Sequence, residues 1–167
     1  PLHEACTCGS VDIVSMLLQA GALKDAHRTH SWTPLMYAVS RNHFQVAVLF
    51  MKLETNTSII NEVNQDNMTA LYLACRENAI ECVTLLLQHH ADPNICSKTL
   101  RSPLHVSILH HNVDIVEILM QHTSNTNAVD SKGYTMAHEA CAMNVTVVLN
   151  MLKKKWCLEN MLAIQDQ

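Results

Sequence analysis

Apolar residues recur at helical spacing in five separate stretches of this chain. In the first stretch they fall at Ile13, Val14, Leu17 and Leu18. A spacing of three and four residues places such side chains on one face of a helix. The pattern therefore predicts five amphipathic helices, over Val11 to Leu18, Phe44 to Met51, Ile80 to Leu87, Val113 to Met120 and Val145 to Leu152.

A shorter motif precedes each of these stretches by about ten residues and predicts another helix. Its copies read PLHEA from residue 1, TPLMYA from 33, TALYLA from 69, SPLHVS from 102 and TMAHEA from 135. Counted from Pro1, the steps between copies are 33, 36, 33 and 33 residues. Self-similarity at such a period is typical of stacked repeats, here with two short helices in each unit.

The residues at the helix ends agree with this division. Hydroxyl side chains that can cap the first helix of a unit occur at Thr33, Thr69, Ser102 and Thr135. Pro34 and Pro103 follow two of them, at the first helical position, where no N–H donor is needed. Between the two helices of each unit lie residues expected to adopt the left-handed conformation, namely Gly9, Asn42, Asn78, His111 and Asn144.

These motifs resemble ankyrin repeats, whose signature Thr-Pro-Leu-His-x-Ala opens a helix-turn-helix unit and whose second helix ends in a Gly-Ala-Asp-x-Asn-like loop. That ending is present at residues 21–25 and 90–94, and in part at 123–127. The resemblance implies an all-α solenoid of about five repeats with short β-turn fingers. We divide the single domain, residues 1–167, into repeats at about 1–27, 28–63, 64–96, 97–129 and 130–162, with the start of a further repeat at 163–167.

Two units depart from the pattern. The loop of the second unit, residues 54–61, is three residues longer, and its Ile59–Ile60 pair is expected to fold back onto the stack. The fifth unit ends in residues 156–160 without a Gly-Ala loop, and residues 163–167 look like the approach to another turn. Because Pro1 falls within the motif and neither end shows a polar capping unit, we expect a longer parent array and marginal solubility of this part alone.

The charge and cysteine content narrow the classes of partner and compartment. The net charge is -4, which supplies no basic field for nucleic acid, and the Lys153-Lys154-Lys155 run is expected to be a solvated helix end. The seven cysteines form no Cys-x-x-Cys pair, which favours a reducing compartment. We therefore expect a cytoplasmic protein, with the nucleus as an alternative, and no nucleic-acid or direct membrane contact.

Histidines and cysteines are candidates for chemistry, but they follow the repeat. His3, His105 and His138 share one motif position, and the resemblance implies that this histidine bridges adjacent repeats by hydrogen bonds. Cys6, Cys75 and Cys141 also share one position, where a small apolar core residue is expected, and Cys82 replaces an aliphatic residue of a second helix. We predict no catalytic residues, no metal site, no cofactor and no small-molecule substrate, so the protein is not expected to be an enzyme.

The resemblance implies that a partner binds on a concave surface formed by the turn before each motif and the exposed end of each first helix. Read in register, the candidates are Trp32, Tyr37, Arg41, Met68, Arg76, Glu77, Arg101, His110, Tyr134 and Met143.

Two groups stand out among these candidates. Trp32, Tyr37, Arg41 and Arg76 are predicted to anchor an acidic or carbonyl-rich segment of a partner. The alternative is that Trp32 packs across a neighbouring turn and that both arginines are solvated. The second group is apolar and comprises Leu109, Tyr134 and Met143, for which contact with a further repeat is the alternative.

The sequence thus favours a protein–protein interaction module that acts as a scaffold or adaptor and binds a protein or peptide. The alternative is a cytosolic structural or gating array of a membrane channel or another multidomain protein. A secreted array is disfavoured by the unpaired cysteines.

Overall fold

The computed structural model describes residues 1–23, 31–53, 57–122, 126 and 128–165. Within these ranges the chain forms α-helices and one 3-10 helix, Thr57–Asn61. The α-helices are α1 (Leu2–Cys8), α2 (Val11–Gln19), α3 (Pro34–Ser40), α4 (Phe44–Leu53), α5 (Ala70–Arg76), α6 (Ile80–Gln88), α7 (Pro103–Leu109), α8 (Val113–His122), α9 (Met136–Ala142) and α10 (Thr146–Gln165). Parts of three expected repeat ends, at 24–30, at 54–56 and at 123–125 with 127, lie outside the described residues.

The helices form two layers of a solenoid. The first helices of successive units, α1, α3, α5, α7 and α9, pack against one another in order, and so do the second helices α2, α4, α6, α8 and α10. Each unit therefore buries its apolar faces against the next unit, as stacked repeats must. The predicted all-α repeat fold is confirmed. In the described part of the chain, β-structure is limited to an isolated bridge between Val129 and Thr135.

The predicted hydroxyl caps begin three of the first helices. In each, the side-chain oxygen accepts a hydrogen bond from the backbone N–H three residues later, which satisfies a donor that the helix itself leaves free. The pairs are Thr33 with Met36 at 3.3 Å, Thr69 with Tyr72 at 3.1 Å and Ser102 with His105 at 3.3 Å.

The turn between the two helices of each unit has the left-handed conformation that the sequence predicts. The φ angles are 73° at Gly9, 56° at Asn42, 57° at Asn78, 58° at His111 and 55° at Asn144. Gly9 also lies against a neighbouring side chain, because a Cβ atom there would come within 2.5 Å of the His43 ring. Both the backbone conformation and the lack of space therefore require glycine at this position.

The core is one continuous cluster that runs through all five units. The expected return of the long second loop is confirmed, since Ile59 and Ile60 are buried. Cys6, Cys75 and Cys82 are fully buried, as predicted, but the prediction for Cys141 is wrong because this residue is exposed. Cys6 and Cys75 lie on helices that the first helix of the next unit covers, whereas α9 is the last first helix of the described chain.

The fifth unit ends differently from the sequence-based expectation. Helix α10 continues without a break to Gln165, through the residues expected to approach a turn, because residues 153–165 contain no glycine or proline to end it. The lysine run therefore lies inside the helix and not at its end. Lys155 donates from Nζ to the carbonyl oxygen of Met120 at 2.7 Å, and Trp156 donates from Nε1 to Thr126 Oγ1 at 3.0 Å. Among the described helices, none is long and apolar enough to cross a bilayer.

Candidate binding surface

Short turns precede the first helices and project from the stack. We call the segments 64–68, 97–101 and 130–134 the fingers. Each is closed by the same backbone hydrogen bonds, for example from Ser97 N to the Arg101 oxygen at 2.9 Å and from Leu100 N to the Ser97 oxygen at 2.9 Å. Neighbouring fingers are also joined, by Lys98 N to the Asp66 oxygen at 2.8 Å and by Ser131 N to the Thr99 oxygen at 2.9 Å. The fingers therefore form a hydrogen-bonded row.

The base of each finger holds a buried polar residue that sequence reasoning missed. Asn64, Ser97 and Asp130 occupy this one repeat position and are at most 5% exposed. Asn64 Oδ1 accepts from the backbone N–H groups two and four residues later, both at 2.9 Å, and Asp130 Oδ1 does the same at 2.8 and 3.0 Å. Such side-chain-closed turns are a known use of Asn and Asp, so the residue type at this spacing was the available signal.

The last residue of each finger, which comes directly before the capped start of a first helix, is a candidate residue, and we call it the tip residue; Trp32 holds the equivalent position in unit two. The candidates Trp32, Met68, Arg101 and Tyr134 share this position, and the residue before each has a positive φ of 57° at Ser31, 59° at Asn67, 57° at Leu100 and 79° at Gly133. Tyr134 is 51% exposed, and the other three are partly buried. We call the surface made by these tips and by the neighbouring residues of the first helices the finger face.

On units two and three, the structure brings the candidates together in two small groups. The Trp32 and Tyr37 rings lie 5.1 Å apart, and the His3 ring packs edge-on against Tyr37 at 5.6 Å. Trp32 thus packs on the first helix of its own unit. Arg76 Nε is 2.8 Å from Glu77 Oε1, and Arg76 Nη1 is 4.0 Å from the sulfur of Met68.

The remaining candidates differ in their surroundings. Arg41 follows α3 and His110 follows α7, and both are exposed at the ends of first helices. Arg101, Tyr134 and Met143 line a cavity of about 390 Å³ between units four and five. The other lining residues are Leu109, His138, Glu139 and Ala142. The apolar group expected from the sequence therefore does surround one cavity, but the contact of Arg101 with two acids was not anticipated.

Two residues that line this cavity, Arg101 and Glu139, belong to a buried charge cluster together with Asp130. Arg101 Nη2 is 3.3 Å from Asp130 Oδ2, and Arg101 Nε is 3.3 Å from Glu139 Oε1. The arginine side chain is 28% exposed, whereas the two carboxylate side chains are 1% and 3% exposed. Neither oxygen of Glu139 accepts a hydrogen bond of good geometry within the described residues. Glu139 is therefore a buried acid whose hydrogen-bonding capacity is largely unused.

The two acids of this cluster titrate in opposite directions. Burial raises the pKa of Glu139 to about 7, with the Arg101 charge opposing this rise and the Asp130 charge adding to it. Burial by itself would also raise the pKa of Asp130. Hydrogen bonds from the Tyr134 and Lys132 backbones, together with the Arg101 charge, nevertheless bring the Asp130 pKa below its ordinary value. At neutral pH, Asp130 is the ionised partner of Arg101 and Glu139 is only partly ionised.

Two of the repeated histidines contact the capping hydroxyl of their own unit. His105 Nδ1 lies 2.8 Å from Ser102 Oγ, and His138 Nδ1 lies 2.8 Å from Thr135 Oγ1. Burial lowers the pKa of His105, and the Ala128 backbone and Asp130 of the next unit oppose this effect. However, Nε2 of His105 makes no hydrogen bond of good geometry within the described part of the chain.

Residues that follow the left-handed turn also make hydrogen bonds between units. His43 Nε2 is 2.9 Å from the Thr7 carbonyl oxygen, and Asn112 Nδ2 donates to the Cys75 carbonyl oxygen at 2.8 Å. Both residues lie one position after the turn and reach back to the preceding unit. The sequence analysis did not identify them, although their equivalent positions were visible in the repeat register.

Three buried cysteine thiols are poorly suited to nucleophilic chemistry. Burial raises the pKa of Cys6 and of Cys75 to about 12 and that of Cys82 to about 11, so these groups stay protonated. Across the described residues, no cluster of three or more His, Cys, Asp or Glu side chains is arranged to hold a metal ion.

Comparison with known proteins gives a family for this architecture. A model of ankyrin repeats (three copies) matches residues 2–97 and again 89–160. The chain is similar to ankyrin repeat, SAM and basic leucine zipper domain-containing protein 1 of Neofelis nebulosa, with 33% identity over 106 residues, which are 60% of this chain and 22% of the relative. The same-named protein of Microcebus murinus is 31% identical over 121 residues, 70% of this chain and 24% of the relative. The chain thus spans about a quarter of the length of these curated relatives, and it belongs to the ankyrin-repeat family.

Proposed function

We propose that this chain is a protein-recognition module that binds a partner protein or an extended peptide through its finger face. Ankyrin repeats generally mediate protein–protein interaction, and the family is typically non-catalytic. The observation that supports the proposal most directly is the row of fingers. Backbone hydrogen bonds hold neighbouring fingers together, while the side chains at their tips stay partly or largely exposed.

Such an arrangement favours binding because little ordering is required. A surface that is already rigid avoids much of the conformational entropy that association otherwise costs. The tips also carry Trp32, Arg101 and Tyr134, and these residue types are enriched among the side chains that dominate binding energy. The finger face is therefore suited to present anchors at regular spacing.

On units two and three, we propose that the Trp32–Tyr37 pair with Arg41 and Arg76 receives an acidic or carbonyl-rich segment. The two rings, which are tilted by 48° to each other, supply apolar contact area, and Arg41 supplies an exposed cation at the end of α3. Arg76 would have to exchange its contact with Glu77 for the partner, which makes Arg41 the stronger contributor.

The proposed cellular role is that of a scaffold or adaptor in a reducing compartment, with the cytoplasm as the first expectation and the nucleus as the alternative. All six described cysteines are free, which supports this placement. The relatives' names give their ankyrin repeats together with SAM and basic leucine zipper domains. We propose that the array likewise serves as the recognition part of a longer chain.

The experiment is a cross-linking and affinity capture with the 167-residue chain, quantified by mass spectrometry. Trp32→Ala and Tyr134→Ala variants remove finger tips, and Met16→Ala is the matched control, because Met16 is 68% exposed on a second helix away from the fingers. We expect each tip variant to weaken capture of at least one partner by about fivefold or more, equivalent to about 1 kcal/mol. Capture that is equal for all three variants, with unchanged thermal unfolding, would refute a finger-face binding site.

A further inference from the structure

The cavity between units four and five combines a buried acid with an apolar and aromatic mouth. Glu139 forms part of its wall, and Leu109, Tyr134 and Met143 surround it. Tyr134 is 51% exposed and stacks with His138 at a ring distance of 6.0 Å. The mouth is therefore open to solvent, while the carboxylate at its wall is only 3% exposed.

The charges of Arg101, Asp130 and Glu139 do not balance. Arg101 is the cation, Asp130 and Glu139 are the acids, and Arg101 makes one close contact to each. An ionised Glu139 thus leaves one buried negative charge uncompensated by these three groups. Its Oε2 atom has no hydrogen-bond partner within the described residues, although it belongs to a residue that lines the cavity. A buried ionised group without full pairing is unfavourable unless something else supplies the missing charge or donor.

We propose that this cavity binds an arginine side chain of an extended partner segment, with Glu139 accepting the guanidinium and Tyr134 and Met143 packing against its aliphatic stem. The proposal rests on the protein-recognition function above and names the chemistry of one contact. A guanidinium has several N–H donors in a planar fork and can serve both a carboxylate and an aromatic face. Its stem tolerates apolar surroundings such as Leu109 and Met143.

The same geometry disfavours other occupants. A partner carboxylate would place a further negative charge beside Glu139, and a purely apolar side chain would leave the Glu139 oxygens unsatisfied. A lysine supplies charge but not the planar fork, so it should bind less tightly than arginine.

The probe for the test is N-acetyl-L-arginine amide, added to the 167-residue chain with isotope-labelled methionine methyl groups at about pH 8, where Glu139 is largely ionised. We expect a saturable change at the Met143 methyl. N-acetyl-citrulline amide, the neutral isostere, should bind at least about tenfold more weakly because it lacks the charge-assisted hydrogen bonds.

Two variants separate the proposed contact from a general charge effect. Glu139→Gln should abolish the saturable change at Met143. Glu117→Gln is the control, since Glu117 is exposed on α8, does not line the cavity and loses the same charge when replaced. It should leave binding of the probe unchanged.

Equal binding of arginine and citrulline amides, or equal loss in the two variants, would overturn this inference. If capture of a partner depends on Trp32 but the chain does not bind the arginine amide, the arginine site is refuted and the protein-recognition function stands. If binding of the arginine amide depends on Glu139 but capture is unchanged in Trp32→Ala and Tyr134→Ala, the arginine site stands and the broader function is refuted.

Discussion

The two halves of the finger face differ in what their tip residues contact. On units two and three, the tip residue Trp32 rests on Tyr37, and the charged groups Arg41 and Arg76 remain accessible to solvent. On units four and five, the tip residue Arg101 instead turns toward two buried acids. The first half consists of partly exposed side chains whose contacts do not destabilise the fold. The second half contains a buried acid that is unfavourable when it is ionised.

The two halves also differ in how their contacts affect the stability of the fold. Aromatic packing such as that of Trp32 and Tyr37 stabilises the fold and can also bind a partner. A buried acid with a raised pKa and unused oxygens, by contrast, lowers the stability of the isolated chain when it is ionised. Groups that reduce stability in this way are concentrated at functional sites, which is why the cavity beside Glu139 is informative.

The largest expected effect comes from the arginine that compensates the buried acids. Arg101→Met removes the cation beside Asp130 and Glu139. Methionine is the residue type that unit three carries at the equivalent position, Met68. We expect the free energy of unfolding in urea to fall by about 3 kcal/mol, because removing one member of a buried ion pair leaves the other charge uncompensated. Arg76→Met, the equivalent loss of charge on the other half, should cost less than about 1 kcal/mol because the Arg76–Glu77 pair is exposed. Equal losses for the two variants would mean that the two halves do not differ as described.

The second prediction concerns pH. The pKa of Glu139 is about 7 in the folded chain against an ordinary value of 4.5, so the folded state holds this proton over a range in which the unfolded state has lost it. The contribution of Glu139 to stability therefore declines as pH rises from about 4.5 and is fully lost above about 7. At about pH 8, Glu139→Gln should raise the free energy of unfolding by about 2 kcal/mol, since the neutral amide avoids burying a charge.

The measurement compares the chain with its variant at each pH in urea, so that contributions common to both proteins cancel. The difference should be small near pH 5 and should grow toward about pH 8. Glu117→Gln again serves as the control for the loss of one exposed negative charge. If Glu139→Gln is less stable than the unchanged chain at about pH 8, ionised Glu139 does not destabilise the fold and the prediction is wrong.

A third prediction tests the aromatic half. Trp32→Ala removes the ring that packs 5.1 Å from Tyr37, and the midpoint of thermal unfolding should fall by an amount corresponding to about 1 kcal/mol. Tyr134→Ala, at the same finger position, should change stability by less than about 0.5 kcal/mol because the Tyr134 side chain is largely exposed. Reversed effects would show that the tip of unit five, not that of unit two, carries the structural packing.

The smallest expected effect lies on the middle finger, residues 97–101. Leu100 is 53% exposed and has a φ of 57°, a conformation that costs energy for a residue with a branched side chain. Leu100→Gly should stabilise the chain by about 0.5 kcal/mol, and the reverse change at the equivalent position, Gly133→Leu, should destabilise it by a similar amount. Both are measured by urea unfolding, and a loss of stability in Leu100→Gly would mean that the leucine side chain contributes packing that outweighs its backbone strain.

The repeat architecture could be predicted from local features alone. The helix pairs, the caps at Thr33, Thr69 and Ser102, and the left-handed turns at positions such as Asn78 depend on residues within a few positions of one another. A repeated pattern then gives the stacking, because each unit can bury its apolar faces only against a neighbour. The burial of Cys6 and Cys75 followed from the same register, and the error at Cys141 arose where no further first helix covers α9 in the described chain.

Which polar residues meet across units was decided only by the tertiary structure. Arg101, Asp130 and Glu139 lie up to 38 residues apart, and their contacts at 3.3 Å depend on how one finger lies against the next unit. The hydrogen bond from His43 to the Thr7 carbonyl and that from Asn112 to the Cys75 carbonyl likewise cross between units. Periodicity in a sequence specifies which face of a helix is buried, but the pairing of charges and the pKa of a buried acid depend on distances and solvent exclusion that exist only after the units have packed.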